Sequence, residues 1–259
     1  MSILNFTLIQ SNLFWENQEA NLKMFTEKIK ALEGHHEIVV LPEMFSTGFS
    51  MKPSQFAENL TGTSLQWMKE IAATKKIILT GSLMIQEDNH YYNRLIWMQP
   101  DGQFGYYDKR HLFSYGGEDK DFTPGSKRFI AQVKGWKICT MICYDLRFPI
   151  WNRMNKEDEY DVLVVIANWP NKRMTAWQTL LRARAIENQS YVIGVNRVGE
   201  DGNGLIYNGG SCVIDPLGEI LYEKLNDEDT FSITLNKDDL LKVRNNFPFQ
   251  KDKDEFIIL

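Results

Sequence analysis

Three short runs of this chain are apolar or β-branched almost without a break: residues 136–143, interrupted only at Lys137, residues 162–167, and residues 191–195. A strand with one wet face alternates polar and apolar residues, so strands this continuous must be covered on both sides, as in a sheet held between other layers. Between the second and third runs, residues 175–189 place Ala176, Trp177, Leu180, Leu181, Ala183, Ala185 and Ile186 at helical spacing. A second β-α-β pattern opens the chain. Residues 3–9 read as a strand, residues 16–32 as a helix with Ser11 and Asn12 in the turn before it, and residues 37–41 as a strand that stops at Pro42-Glu43. Repeated units of this kind predict a layered α/β fold.

The remaining segments predict mixed rather than purely parallel sheets. A helix is expected over residues 64–76, then strands over 77–85 and 91–98 joined at Glu87-Asp88-Asn89, and after the turn Pro100-Asp101-Gly102 a continuation over 104–107. Residues 150–154, with Ile150, Trp151 and Met154, look able to open a helix. Later come a hairpin over 207–222 turning at Asp215-Pro216-Leu217-Gly218, a strand over 231–235 and a short helix over 237–245. With no repeat, low-complexity stretch or linker, residues 1–259 read as one domain.

Charge and cysteine content narrow the classes of function. The net charge is -5 and Lys and Arg are scattered, which argues against nucleic acid as a partner, since such binding rests on a dense basic footprint. The first ten residues alternate like a strand and lack a basic start or small-residue cleavage site, so no signal peptide is expected, and no apolar run is long enough to span a bilayer. Three cysteines, Cys139, Cys143 and Cys212, are too few and odd in number for a disulfide framework, which points to a reducing compartment, the cytoplasm.

Polar residues at strand ends carry the chemistry. Cys143 stands where the run 136–143 gives out, Glu43 follows Leu41-Pro42, and Lys109 follows Tyr107-Asp108. Open α/β sheets place ligands at the carboxyl ends of their strands. If the three met there, they would suit acyl transfer from an amide. The carboxylate takes the thiol proton and returns it to the departing amine, and the ammonium, helped by a backbone N–H beside Cys143, faces the oxyanion. An adjacent ammonium is also expected to favour the thiolate. Taken singly, each has a plainer account: buried cysteines usually fill space, and Glu43 and Lys109 would serve as solvated strand ends. Cys139 lies four residues before Cys143, but no second Cys/His pair completes a zinc site, so no metal is expected. Of four histidines only His111 falls near these segments, as support for the Lys109 loop, and the run G-E-D-G-N-G over residues 199–204 reads as a turn.

The stretches Leu41-Pro-Glu-Met-Phe45, Tyr107-Asp-Lys-Arg-His-Leu-Phe113 and Ile142-Cys-Tyr-Asp-Leu-Arg-Phe-Pro149 resemble, in order, the three signature segments of the nitrilase, or carbon-nitrogen hydrolase, superfamily. The resemblance continues through Val165-Ile-Ala-Asn-Trp-Pro170 and Arg182-Ala-Arg-Ala-Ile-Glu-Asn-Gln189. It implies a four-layer α-β-β-α sandwich with two mixed β-sheets, commonly a homodimer, and a cofactor-free hydrolase with Glu43, Lys109 and Cys143 as its triad. A second glutamate that assists the lysine maps onto Glu118. Within the superfamily the pattern is most similar to bacterial ω-amidases, which release ammonia from the terminal amide of short dicarboxylic monoamides such as 2-oxoglutaramate. Tyr115, Tyr144 and Trp169 are then expected to wall the pocket or to pack the core, Arg173 to meet the substrate carboxylate, and Arg147 to serve as a structural ion-pair partner. The alternatives left open are another member activity, on a nitrile or an N-carbamoyl amine, and a non-catalytic binding module with the same fold.

Overall fold

The alternation along the first strand sorts its side chains between two cores. In a computed structural model, which describes residues 2–258, β1 (Ile3–Gln10) sends Leu4, Phe6 and Leu8 into one apolar cluster and Ile9 into another. The next strand, β2 (Ile38–Val40), does the same with Ile38 and Val40 against Val39. Between them runs α1 (Gln18–Lys30), which starts later than the periodicity suggests because the Asn17 side chain accepts the Ala20 N–H and so caps it.

A one-turn helix α2 (Pro53–Phe56) and then α3 (Thr63–Lys75) lead to the meander β3 (Ile78–Glu87), β4 (His90–Met98) and β5 (Phe104–Asp108). A second one-turn helix, α4 (Glu118–Asp121), precedes the hairpin β6 (Ile130–Val133) and β7 (Trp136–Ile142). The helix expected after β7 is only one turn, α5 (Pro149–Asn152), and β8 (Val162–Ile166), α6 (Met174–Asn188) and β9 (Tyr191–Val195) then follow the expected order. The chain ends with β10 (Val198–Glu200), β11 (Ile206–Ile214), β12 (Ile220–Leu225), β13 (Asp229–Asn236) and α7 (Lys237–Asn246).

These strands make two mixed sheets. The first has the order β13-β1-β2-β3-β4-β5, and the second β10-β11-β9-β8-β7-β6 with β12 on β11. One cluster joins Leu4, Phe6, Leu8, Trp97 and Tyr107 of the first sheet to Ile138, Met141 and Val164 of the second, and to Trp177, Leu181 and Ala185 of α6. The other seats Leu22, Phe25 and Ile29 of α1 and Leu65, Met68 and Ala72 of α3 on the opposite face of the first sheet. The layers are therefore helix, sheet, sheet, helix. Each fully buried Leu or Phe in this stack contributes about 1.5–3 kcal/mol.

Strand direction decides where the site falls. Strand β3 is parallel to β2, β4 is antiparallel to β3 and β5 antiparallel to β4, so β5 runs the same way as β2. The carboxyl ends of β2 and β5 thus lie at one rim of the first sheet, and those of the parallel pair β7 and β8 at one rim of the second.

Candidate active site

Four side chains or backbone groups reach the site from these strand ends. Glu43 follows β2, Lys109 directly follows β5, Cys143 directly follows β7, and Asn168 comes just beyond β8. The first two belong to one sheet and the last two to the other, so the centre lies where the sheets face each other.

Glu43, Lys109 and Glu118 are entirely buried in contact with one another. Lys109 Nζ donates to Glu43 Oε1 at 2.9 Å and to Glu118 Oε2 and Oε1 at 2.8 and 3.1 Å. Asn93 Nδ2, on β4, donates to Glu43 Oε1 at 2.8 Å and to Glu118 Oε1 at 3.1 Å. Glu43 Oε2 accepts the backbone N–H of Asn168 at 2.8 Å, and Glu118 Oε2 that of Phe113 at 2.6 Å. Every carboxylate oxygen is therefore occupied by a donor, which is what allows charge to be buried at all.

Cys143 has φ of 46°, a left-handed conformation that a non-glycine residue adopts at a cost of about 1–3 kcal/mol. The strain turns its side chain out of the line of β7 at the start of a 3-10 turn, Cys143–Arg147, whose first N–H groups have no partner further back in the turn. Cys143 Sγ donates to the Asn168 carbonyl oxygen at 3.9 Å, and Asn168 Nδ2 donates to the Glu43 carbonyl oxygen at 2.6 Å. Asn168 thus ties thiol and carboxylate together.

Electrostatics correct one expectation. Burial, and after it the charge of Glu43, hold the Cys143 thiol well above the ordinary cysteine value; Lys109 pulls the other way, and Glu118 adds to the rise. Two carboxylates outweigh one ammonium, so the resting sulfur is a thiol and not the thiolate expected from Lys109 alone. Burial lowers the Lys109 pKa, but Glu118 and then Glu43 overcome this and raise it, which keeps the ammonium charged. Burial lifts Glu118 from the usual carboxylate range against the pull of Lys109. Together these groups can accept a thiol proton at a carboxylate and hold an ammonium beside it, with the sulfur at the start of a turn.

A cavity of about 120 Å³ opens from Cys143. Sites for drug-sized ligands run to roughly 300–1,000 Å³, so this one suits a small molecule. Tyr144, Trp169 and Arg173 line it as the sequence suggests, together with Phe49, Phe113 and Tyr207. Tyr115 does not: it is 88% exposed, with its ring against Phe113 outside the cavity. Arg147 is also a lining residue rather than an ion-pair partner. Its guanidinium lies 4.9 Å from the Trp169 ring and that of Arg173 5.0 Å from the Phe113 ring; neither arginine pairs with a carboxylate among the described residues. Asp201 lines the cavity too, but its oxygens accept from Tyr207 Oη and the N–H groups of Asn203 and Leu205.

Sequence reasoning gave no role to Asn93 or Asn168. Asn168 sits inside a quoted motif, while nothing local in β4 marks Asn93. The G-E-D-G-N-G run is a turn only in its second part, since Gly199 and Glu200 end β10, and Asp201 and Asn203 form part of the cavity rim. His111 supports the Lys109 segment, its Nδ1 lying 2.8 Å from Asp145 Oδ1. No cluster of three or more His, Cys, Asp or Glu side chains suited to a metal ion occurs among the described residues, and none of their helices is long and apolar enough to cross a membrane.

Comparison with known proteins agrees with this geometry. The carbon-nitrogen hydrolase family model matches residues 6–244. An omega-amidase YafV from Yersinia enterocolitica is 40% identical over 260 residues, all of both chains, and a 2-oxoglutaramate amidase from Bacillus subtilis is 30% identical over 94% of this chain and 95% of its own. Among solved structures, XC1258 from Xanthomonas campestris, a CN-hydrolase superfamily protein with an arsenic adduct in its active site, superposes with a TM-score of 0.97 at 39% identity over the whole of both chains. With that match spanning nearly its full length, the chain belongs to the carbon-nitrogen hydrolase family.

Proposed function

We propose that the protein is a cysteine-dependent ω-amidase that hydrolyses the terminal amide of a short dicarboxylic monoamide, with 2-oxoglutaramate as the test substrate. Glu43, Lys109 and Cys143 are its catalytic residues. Cys143 Sγ attacks the amide carbon while Glu43 takes the thiol proton. The oxyanion is met by Lys109 and by the backbone N–H of Tyr144, at the point where charge develops. Glu43 then protonates the departing nitrogen, ammonia leaves, and a thioester remains. Water, deprotonated by Glu43, attacks that thioester and releases the second carboxylate with the thiol restored. Glu118 keeps Lys109 in place and charged throughout.

The observation that carries the substrate class is the pair Arg147 and Arg173, cations with no carboxylate partner among the described residues, in a small cavity that opens on Cys143. A carboxylate at the far end of the substrate gives them the partner they lack. Support also comes from the names of the relatives at 40% and 30% identity. We take the chain to act as one domain in the cytoplasm. We also take it to act as a homodimer, for which the exposed Ile186, Leu217, Ile220 and Leu221 offer apolar surface. The deciding experiment is ammonia release from 2-oxoglutaramate by the wild-type protein and by Cys143→Ala. Turnover by the former alone is expected, and equal rates, or none from either, would end the proposal.

A further inference from the structure

The Asp145 carboxylate is wholly buried two residues beyond Cys143 and takes no part in the chemistry above. Its Oδ2 accepts Tyr107 Oη at 2.7 Å and the N–H of Ile142 at 3.2 Å. Its Oδ1 accepts the His111 N–H at 2.9 Å and lies 2.8 Å from His111 Nδ1. The bond to Ile142 closes the turn in which Cys143 is forced to positive φ. The bonds to Tyr107 and His111 grip the chain on either side of Lys109. One carboxylate therefore fixes both the strained turn of the second sheet and the lysine-bearing end of the first. Tyr107 is locked further, its Oη accepting Trp151 Nε1 at 2.8 Å and the Arg110 N–H at 3.2 Å, and His111 is stacked on Phe148 with ring centroids 3.7 Å apart.

We propose that Asp145 is a positioning residue that sets the separation of the Lys109 ammonium from the Cys143 sulfur by clamping their two chain segments to one carboxylate. A buried carboxylate is a poor choice for stability alone, because leaving water costs several kcal/mol that good geometry only offsets. A rigid planar acceptor with room for four donors is well suited to fixing two segments at once. Asparagine has the same shape, but its NH₂ must face either the Ile142 N–H or the His111 N–H, so one half of the clamp opens.

The proposal rests on the amidase reading, and its test separates the two. Steady-state kinetics on 2-oxoglutaramate should show Asp145→Asn with kcat reduced about 30- to 100-fold and KM within about threefold, the signature of misplacement by a fraction of an ångström to an ångström. Tyr107→Phe removes a single bond and should lower kcat about 3- to 10-fold. The double variant should be no worse than Asp145→Asn, because both changes act through the same clamp. A kcat for Asp145→Asn within threefold of wild type, or losses that multiply in the double variant, would overturn the assignment; if Asp145→Asn does not fold, an unchanged kcat in Tyr107→Phe does so. Should the wild-type protein leave every amide intact, the functional reading fails. The clamp is then judged by the pH profile of Cys143 alkylation with iodoacetamide. Burial and Glu43 raise the thiol pKa while Lys109 lowers it, so a clamp that sets these separations should displace the profile when it is loosened in Asp145→Asn, and superimposable profiles would sink the proposal.

Discussion

Replacing Glu118 by Gln keeps the side-chain volume, removes one negative charge from a fully buried cluster, and leaves Glu43, Lys109 and Cys143 untouched. In the native site Glu118 receives four donated hydrogen bonds: two from Lys109 Nζ, one from Asn93 Nδ2 and one from the Phe113 N–H. A glutamine offers one acceptor oxygen. With that oxygen toward Phe113, its NH₂ faces Asn93 and the second Lys109 contact, so a charge-assisted bond is lost and a donor meets a donor. Such a bond is worth about 1.5–3 kcal/mol. Lys109 keeps Glu43 at 2.9 Å, which limits the loss to the transition state it no longer meets squarely. At about 1.36 kcal/mol per factor of ten, kcat should fall about 10- to 150-fold, with KM little changed because the cavity wall is intact. Ammonia release under saturating substrate, with the melting temperature of each variant measured alongside, tests this. A variant with kcat within threefold of wild type but a lowered melting temperature would show that Glu118 only holds the fold, and the argument for its role would fail.

Glu43→Gln should abolish turnover yet shift Cys143 alkylation to lower pH: a negative neighbour penalises the thiolate, so its removal eases ionisation. In the wild type the alkylation rate should still be climbing with pH beyond neutrality, and a plateau near pH 7 would contradict the neutral resting thiol. Arg147→Gln and Arg173→Gln should each lower kcat/KM about 10- to 150-fold on a carboxylate-bearing amide, the worth of one charge-assisted bond, and less than about threefold on a neutral amide of equal length. Equal losses on both substrates would assign these arginines to packing. Gly125→Ala should cut both activity and melting temperature, since an added Cβ would stand 2.1 Å from the Asp108 carbonyl oxygen beside Lys109; wild-type values in both measurements would refute it.

The parts of this molecule that were legible in the sequence are those where a residue's environment follows from its neighbours in the chain. The continuous runs at 136–143, 162–167 and 191–195 became β7, β8 and β9, interior strands of the second sheet. Short elements at the margins carried no such pattern. Strand β6, with Ile130, Ala131, Gln132 and Val133, pairs only with β7, and β10 is three residues long. Glu43, Lys109 and Cys143 were picked out by position and resemblance, but their meeting depends on β5 running parallel to β2, a property of the whole meander. Arg147 shows the limit most clearly. From the sequence it is one more cation after an aspartate; only the turn at Cys143 swings it to the cavity instead of to a carboxylate. The upward shift of the Cys143 thiol is hidden in the sequence for the same reason, because burial, Glu43 and Glu118 act on the sulfur only once the two sheets are docked.

Because the acid and the amine hang from one sheet and the sulfur and its tether from the other, catalytic competence reports how well two slabs are docked rather than whether either slab exists. Gentle denaturant should therefore silence the enzyme while far-ultraviolet ellipticity is still near native, with near-ultraviolet signals fading in step with turnover. The same arrangement makes the centre a poor candidate for transplantation: a fragment holding one sheet alone would carry half a catalyst and no chemistry.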